Sequence, residues 1–123
     1  MPRLSLSEPF LLPEAPAEPD VVAKYFRVLS DPTRVRLLTL LRDEGELSVS
    51  ELVDRLGEPQ PKVSNHLACL RWCGFVARER RHPHVHYRVA DDRVLELLDL
   101  GRALLADNAE HVASCRHVAG AGC

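Results

Sequence analysis

Apolar positions along the chain fall into blocks with helical spacing, separated by short polar breaks. From Asp20 onward, Val21, Val22, Tyr25, Phe26 and Leu29 recur at the interval of one helix face. Ser30-Asp31-Pro32 ends that block and opens another. Asp31 suits an N-cap, and Pro32 suits the first helical position, where a missing N–H costs no intrahelical bond. Val35, Leu37, Leu38, Leu40 and Leu41 give the second helix a broad apolar side that ends near Gly45. Ser48-Val49-Ser50-Glu51 has the form of a capping box. A short helix then places Leu52, Val53 and Leu56 inward, with Gly57 just past its end. Pro61 opens the next helix, predicted over Gln60–Gly74, with Val63, Leu67 and Leu70 inward. The period then shortens to two, and strands are predicted at Phe75–Arg80 and Val85–Val89 around a turn at Arg81-His82-Pro83-His84. Asp91 or Asp92 caps a last helix bearing Val94, Leu95, Leu97, Leu98, Leu104, Leu105 and Val112.

Two short helices around a tight turn form a helix-turn-helix, whose second helix enters the major groove of DNA. A hairpin directly after it is a wing. The predicted fold is mainly α with a small β-hairpin, a winged helix-turn-helix. The last helix carries more apolar surface than a small domain needs for itself. That predicts a homodimer helix, with residues 20–29 packed alongside it.

The 123 residues suit one domain spanning residues 20–113, with an arm at 1–19 and a tail at 114–123. Residues 1–20 hold five of the nine prolines, a composition that favours an extended or disordered arm. No apolar run is long enough to span a membrane, and Phe10–Leu12 is too short for a secretory signal. A cytoplasmic location with reduced cysteines is expected. The formal net charge of −2 does not suggest a nucleic-acid partner, but charge distribution matters more than the total. Within residues 59–89, Lys62, Arg71, Arg78, Arg80, Arg81 and Arg88 stand against Glu79 alone. An enzyme is not expected: phosphate-binding glycine loop, nucleophile elbow and His-Glu-x-x-His are all absent from the sequence.

On the recognition helix, Gln60, Lys62, Ser64, Asn65 and His66 occupy the N-terminal half that reaches base edges. Gln and Asn can pair with adenine, and Lys can contact guanine or phosphate. Two of these residues have bland alternatives: Ser64 as a helix-start hydrogen bonder and His66 as a buttress beneath the helix. Arg80, Arg81, His82 and His84 on the wing suit phosphate or minor-groove contact, with a solvated hairpin tip as the bland alternative. His82, His84 and His86 are read as surface residues, because Pro83 breaks the strand geometry that would align them. Cys69 and Cys73 stand four residues apart, so their Cβ atoms lie about 5–6 Å from each other on one side of a helix. Two thiolates on one soft metal ion sit at that scale. Both cysteines flank the apolar stripe rather than occupy its centre, which favours ligands over core packing.

The segments LSDPTRVRLLTLL (29–41), ELSVSELVDRLG (46–57), VSNHLACLRWCG (63–74) and VHYRVADDRV (85–94) resemble the ArsR/SmtB family of metal-responsive repressors. The resemblance covers roughly residues 20–113. It implies a homodimer that binds a palindromic operator in double-stranded DNA when metal-free and releases it when metal binds. The segment CLRWC is most similar to actinobacterial cadmium- and lead-sensing members, which place two cysteines in the recognition helix and draw a third from the C-terminal region. Two other family sites are spoiled here. Ser48-Val49-Ser50 replaces a Cys-Val-Cys motif. Arg93 and Leu104 stand where the dimer-helix zinc site needs histidines. The ligand set implied is Cys69, Cys73 and Cys115, with Cys123 as an alternative third donor. Cadmium, lead or mercury suits such thiolates; zinc would be helped by His66, His111 or His117.

Three alternatives remain open on the residues: a thiol redox switch of the same fold, a zinc-responsive repressor and a structural zinc module. Cys73 lies at a helix C-terminus, where the dipole disfavours a thiolate, and the spacing is not Cys-x-x-Cys. Both points count against the redox switch. A closed structural zinc site needs four ligands, and these are scattered.

Overall fold

A computed structural model describes residues 17–115. Most of the predicted arm, together with His117 and Cys123, lies outside the described residues. The elements run α1 (Glu18–Val28), α2 (Pro32–Glu44), β1 (Leu47–Ser48), α3 (Val49–Leu56), α4 (Gln60–Trp72), β2 (Val76–Arg81), β3 (His84–Val89), α5 (Asp92–Ala106) and α6 (Ala109–Ser114).

The predicted caps form as the chemistry requires. Asp31 accepts from the N–H groups of Thr33 at 2.8 Å and Arg34 at 3.3 Å. These bonds hold its carboxyl below the usual range, although burial pushes the other way. Ser48 accepts from the Glu51 N–H at 3.2 Å, while the Ser48 N–H donates to the Glu51 carboxylate at 3.0 Å. Gly57 ends α3 at φ 67°, a left-handed conformation that glycine adopts without a Cβ clash. Asp91 caps α5 by accepting from the Arg93 N–H at 2.8 Å.

Leu37, Leu38 and Leu41 of α2 meet Leu52 of α3, Val63, Leu67 and Leu70 of α4, and Phe75, Val76 and Tyr87 from the sheet side. All are buried, so the recognition helix is bolted to a rigid scaffold along one stripe. Truncating a residue such as Leu67 to Ala would cost roughly 2–5 kcal/mol.

The sheet differs from expectation in three ways. A third strand, β1, pairs antiparallel with β3 through Leu47↔Tyr87 and Ser48↔His86. Two residues are too few to show alternation. The sheet order is β1-β3-β2. Phe75 is not in the strand but directly precedes it, with its side chain buried and Tyr25 stacked on it at a ring-centroid distance of 4.7 Å. The turn narrows to His82-Pro83, so Arg81 and His84 pair as strand residues.

The final helix is not continuous. α5 stops at Ala106, and Asn108 turns back to donate to the Leu104 carbonyl at 3.1 Å before α6 starts. Asp107 and Asn108 favour local hydrogen bonds over helix continuation. At the other end, α1 starts at Glu18 rather than Asp20, with Pro19 in its first turn.

Candidate nucleic-acid interface and thiol pair

Burial of Val63, Leu67 and Leu70 turns the rest of α4 outward. Gln60, Lys62, Ser64 and Asn65 are all exposed. Lys62 Nζ lies 3.1 Å from the Glu58 carboxylate, one helical turn earlier. His66 does not join this face. It is half-buried, and its Nδ1 accepts from Arg34 Nε at 3.1 Å. Arg34 also donates to the Val28 carbonyl at 3.3 Å, so one guanidinium links the end of α1 to α4.

The wing separates the two predicted arginines. Strand residues alternate faces, and Arg78 pairs with buried Tyr87. Arg78 and Arg80 therefore share the face of buried Val76, towards α4. Arg81 takes the opposite face and ion-pairs with Glu46. His86 Nδ1 lies 3.9 Å from the same carboxylate, and the rings of His84 and His86 meet edge-on at 6.3 Å.

The C-terminal end of α4 is closed by a Schellman motif. The Phe75 N–H donates to the Leu70 carbonyl at 2.9 Å and the Gly74 N–H to the Arg71 carbonyl at 3.1 Å. Gly74 makes this possible at φ 82°. Cys73 is consequently the C-cap rather than a residue of the helix body, and its N–H donates to the Cys69 carbonyl at 3.0 Å. Both thiols are half-buried against the core edge. Burial pushes the Cys73 thiol up, and the neighbouring Cys69, by charge and by a side-chain hydrogen bond, pushes it further. Arg34 and Lys24 act in the opposite direction. The Tyr25 hydroxyl is also raised, first by burial and then by Cys73. The pair thus sits where α1, α2 and α4 meet.

Cys115 caps the end of α6 and is half-buried. Among the described residues of one chain, no three His, Cys, Asp or Glu side chains are grouped closely enough to hold a metal ion. The fold brings Cys69 and Cys73 together but assembles neither Cys115 nor His66 with them. The start of α5 fits a zinc site poorly, since Arg93 is folded onto Asp91 with contacts down to 2.7 Å.

Sequence reasoning missed Arg34, Lys24 and Tyr25 around the thiols. These contacts join positions more than 30 apart in the chain and leave no local pattern. It also missed the wing-facing stripe of α4, which ends at Arg71; the cluster of cations in residues 59–89 was the available signal.

The helix pair, the exposed reading face and the wing define a winged helix-turn-helix DNA-binding protein. Residues 31–78 match the profile of the bacterial regulatory protein, arsR family. A Streptomyces lividans protein named "probable mercury resistance operon repressor" is 43% identical over 104 residues, covering 85% of this chain and 82% of its own. The chain belongs to the ArsR family of bacterial regulators. Among solved structures, M. tuberculosis Rv0081 matches with TM-score 0.73 and 31% identity over 81% of this chain and all of that one. A homodimeric winged helix-turn-helix DNA-binding domain from Mycobacterium bovis matches with TM-score 0.64 and 29% identity over 72% of this chain and 81% of that one. The family is one of regulators, not enzymes. Among the described residues, no helix is long and apolar enough to cross a membrane.

Proposed function

We propose that this protein is a repressor that binds operator DNA as a metal-free homodimer and releases it when a soft heavy-metal ion is held by Cys69, Cys73 and Cys115. The observation that carries this reading is the thiol pair at the C-terminal end of the reading helix, one turn apart and half-buried at the core edge, with the Cys73 N–H donating to the Cys69 carbonyl at 3.0 Å. Thiolate donors select soft ions. Of cadmium, lead and mercury, mercury is favoured, in keeping with the name of the S. lividans relative.

The dimer is supported by apolar side chains left exposed on the outer helices: Val22 and Phe26 of α1, Leu100, Leu104 and Leu105 of α5, and Val112 of α6. A patch of this kind marks an interaction surface. We assign the third thiolate to Cys115 of the partner subunit, since one chain does not bring it to the pair. Gln60, Lys62, Ser64 and Asn65 would read the major groove, and Arg80 would contact the backbone. Arg81 would do so only after leaving Glu46. His66 is better suited to bracing α4 through Arg34. Pinning Cys69 and Cys73 to the tail would shift α4 relative to its twin, and two reading helices must stay roughly 34–36 Å apart to enter successive major grooves. A coupling of about 1–3 kcal/mol suffices for a strong response, and by linkage operator DNA weakens metal binding by the same factor.

The test is a titration of reduced protein on a palindromic operator fragment with mercury, cadmium, lead and zinc in turn, then with an oxidant. DNA anisotropy, sulfur-to-metal absorption and Trp72 emission are followed together. Trp72 is the chain's single tryptophan, is 90% exposed and adjoins Cys73. Release coincident with thiolate absorption supports the reading. Release by oxidant alone transfers the cysteines to a redox switch. The raised Cys73 thiol opposes that outcome, because the thiolate is the reactive form.

A further inference from the structure

A polar groove of about 380 Å³ runs between the recognition helix and the wing. One wall is the stripe Gln60, Ser64, Ala68 and Arg71 of α4. The other is formed by Arg78 and the β3 end of the hairpin, and the start of α3 closes the floor. Neither arginine is among the side chains assigned to DNA above.

Their electrostatic state separates them from two of the cations assigned to DNA above. Lys62 is engaged by Glu58, and Arg81 by Glu46. Among the described residues, Arg71 and Arg78 have no ion-pair partner, and Arg71 is exposed, as is Arg78. Two free guanidiniums therefore face one groove from opposite walls. A guanidinium fork matches phosphate oxygens in geometry as well as charge.

The geometry of duplex DNA says what would lie there. A helix in the major groove and a wing in the adjacent minor groove are separated by one sugar-phosphate strand. Whatever occupies the groove between α4 and the hairpin is that strand. We infer that Arg71 and Arg78 form a two-walled clamp on the phosphodiester backbone, setting how deeply α4 sits without reading sequence. This rests on the DNA-binding reading above, and deepens it.

The experiment measures binding of the full chain to operator and to random duplex DNA at several salt concentrations, for wild type, Arg71→Gln, Arg78→Gln and the corresponding lysine variants. Each glutamine variant removes one phosphate contact per subunit. The slope of log affinity against log salt should become shallower by about 1.8 per dimer, which is roughly 30-fold in affinity near 0.15 M salt. Operator and random DNA should lose alike, and lysine should restore the slope. Glutamine variants that melt like wild type yet keep its affinity and slope overturn the clamp. So does a loss confined to the operator, which would make these side chains base readers.

Phosphate-ethylation interference with wild-type protein tests the same claim whether or not a variant folds. Interference should fall on the backbone strand between the major-groove site and the neighbouring minor groove, and its absence there overturns the inference. Failure of wild type to bind any duplex DNA overturns the repressor reading and the clamp together. Wild-type binding with no clamp effect overturns the clamp alone.

Discussion

The Arg34 Nε donates to His66 Nδ1 over 3.1 Å, tying the recognition helix to α2 beside the thiol pair. This bond spends one imidazole nitrogen on the scaffold and leaves the guanidinium close enough to Cys73 to favour its thiolate. The reading helix and its proposed trigger therefore share a neighbour. His66→Ala should lower stability by about 1 kcal/mol, the usual worth of such a bond, seen as a lower urea midpoint. Its salt slope on operator DNA should match wild type. A large loss of operator affinity without loss of stability would instead make His66 a base contact.

Cys69→Ser and Cys73→Ser should each keep operator affinity within about threefold, well under the 1.4 kcal/mol that a tenfold change represents. Each should also abolish metal-driven release. Cys115→Ser should give a weaker form of the same defect. Anisotropy with and without mercury reads both properties, and normal release from either of the first two variants removes the pair from the site.

The response should weaken in acid. Metal binding displaces thiol protons, so apparent affinity climbs with pH for as long as the thiols are protonated. The folded protein holds the Cys73 thiol above its ordinary value, which extends that climb further into alkaline pH than free cysteine would. Sulfur-to-metal absorption titrations across neutral and mildly alkaline pH should show it. A flat profile would mean the thiolates are already formed.

The exposed apolar face should govern assembly. Leu104 is 61% exposed and Phe26 51%. Burying a leucine or phenylalanine side chain contributes about 1.5–3 kcal/mol. Leu104→Glu combined with Phe26→Asp should therefore yield monomers by sedimentation, still folded by circular dichroism, with operator affinity lost. A dimer that survives both charges would place the interface elsewhere.

Glu58 should act as a brake on DNA binding by holding Lys62. An exposed pair of this kind is worth about 0.2–1 kcal/mol. Glu58→Gln should tighten operator binding by no more than about fivefold per subunit, most visibly at low salt, with metal-driven release unchanged. Weaker binding would show that Glu58 orders Lys62 rather than restrains it.

The order of helices and wing, the Asp31 cap and the Ser48–Glu51 box were legible in the sequence, which left the cap of the last helix open between Asp91 and Asp92. Each is a local device whose hydrogen-bond partners lie within four residues. The thiol pair was legible for the same reason: one helical turn separates Cys69 from Cys73. Helix period alone also predicted that Val63, Leu67 and Leu70 would face inward, leaving Gln60, Ser64 and Asn65 outside.

Tertiary structure decided what those local devices meet. Strand pairing put Arg80 and Arg81 on opposite faces and added β1, whose two residues carry no period. Packing of α2 against α4 turned His66 inward to Arg34, 32 positions away in the chain. The approach of the wing to α4 set Arg71 and Arg78 across one groove. A sequence records periodicity and caps because those forces act over a few bonds. The pairing of charges across elements depends on which surfaces burial brings together, and the whole core sets that.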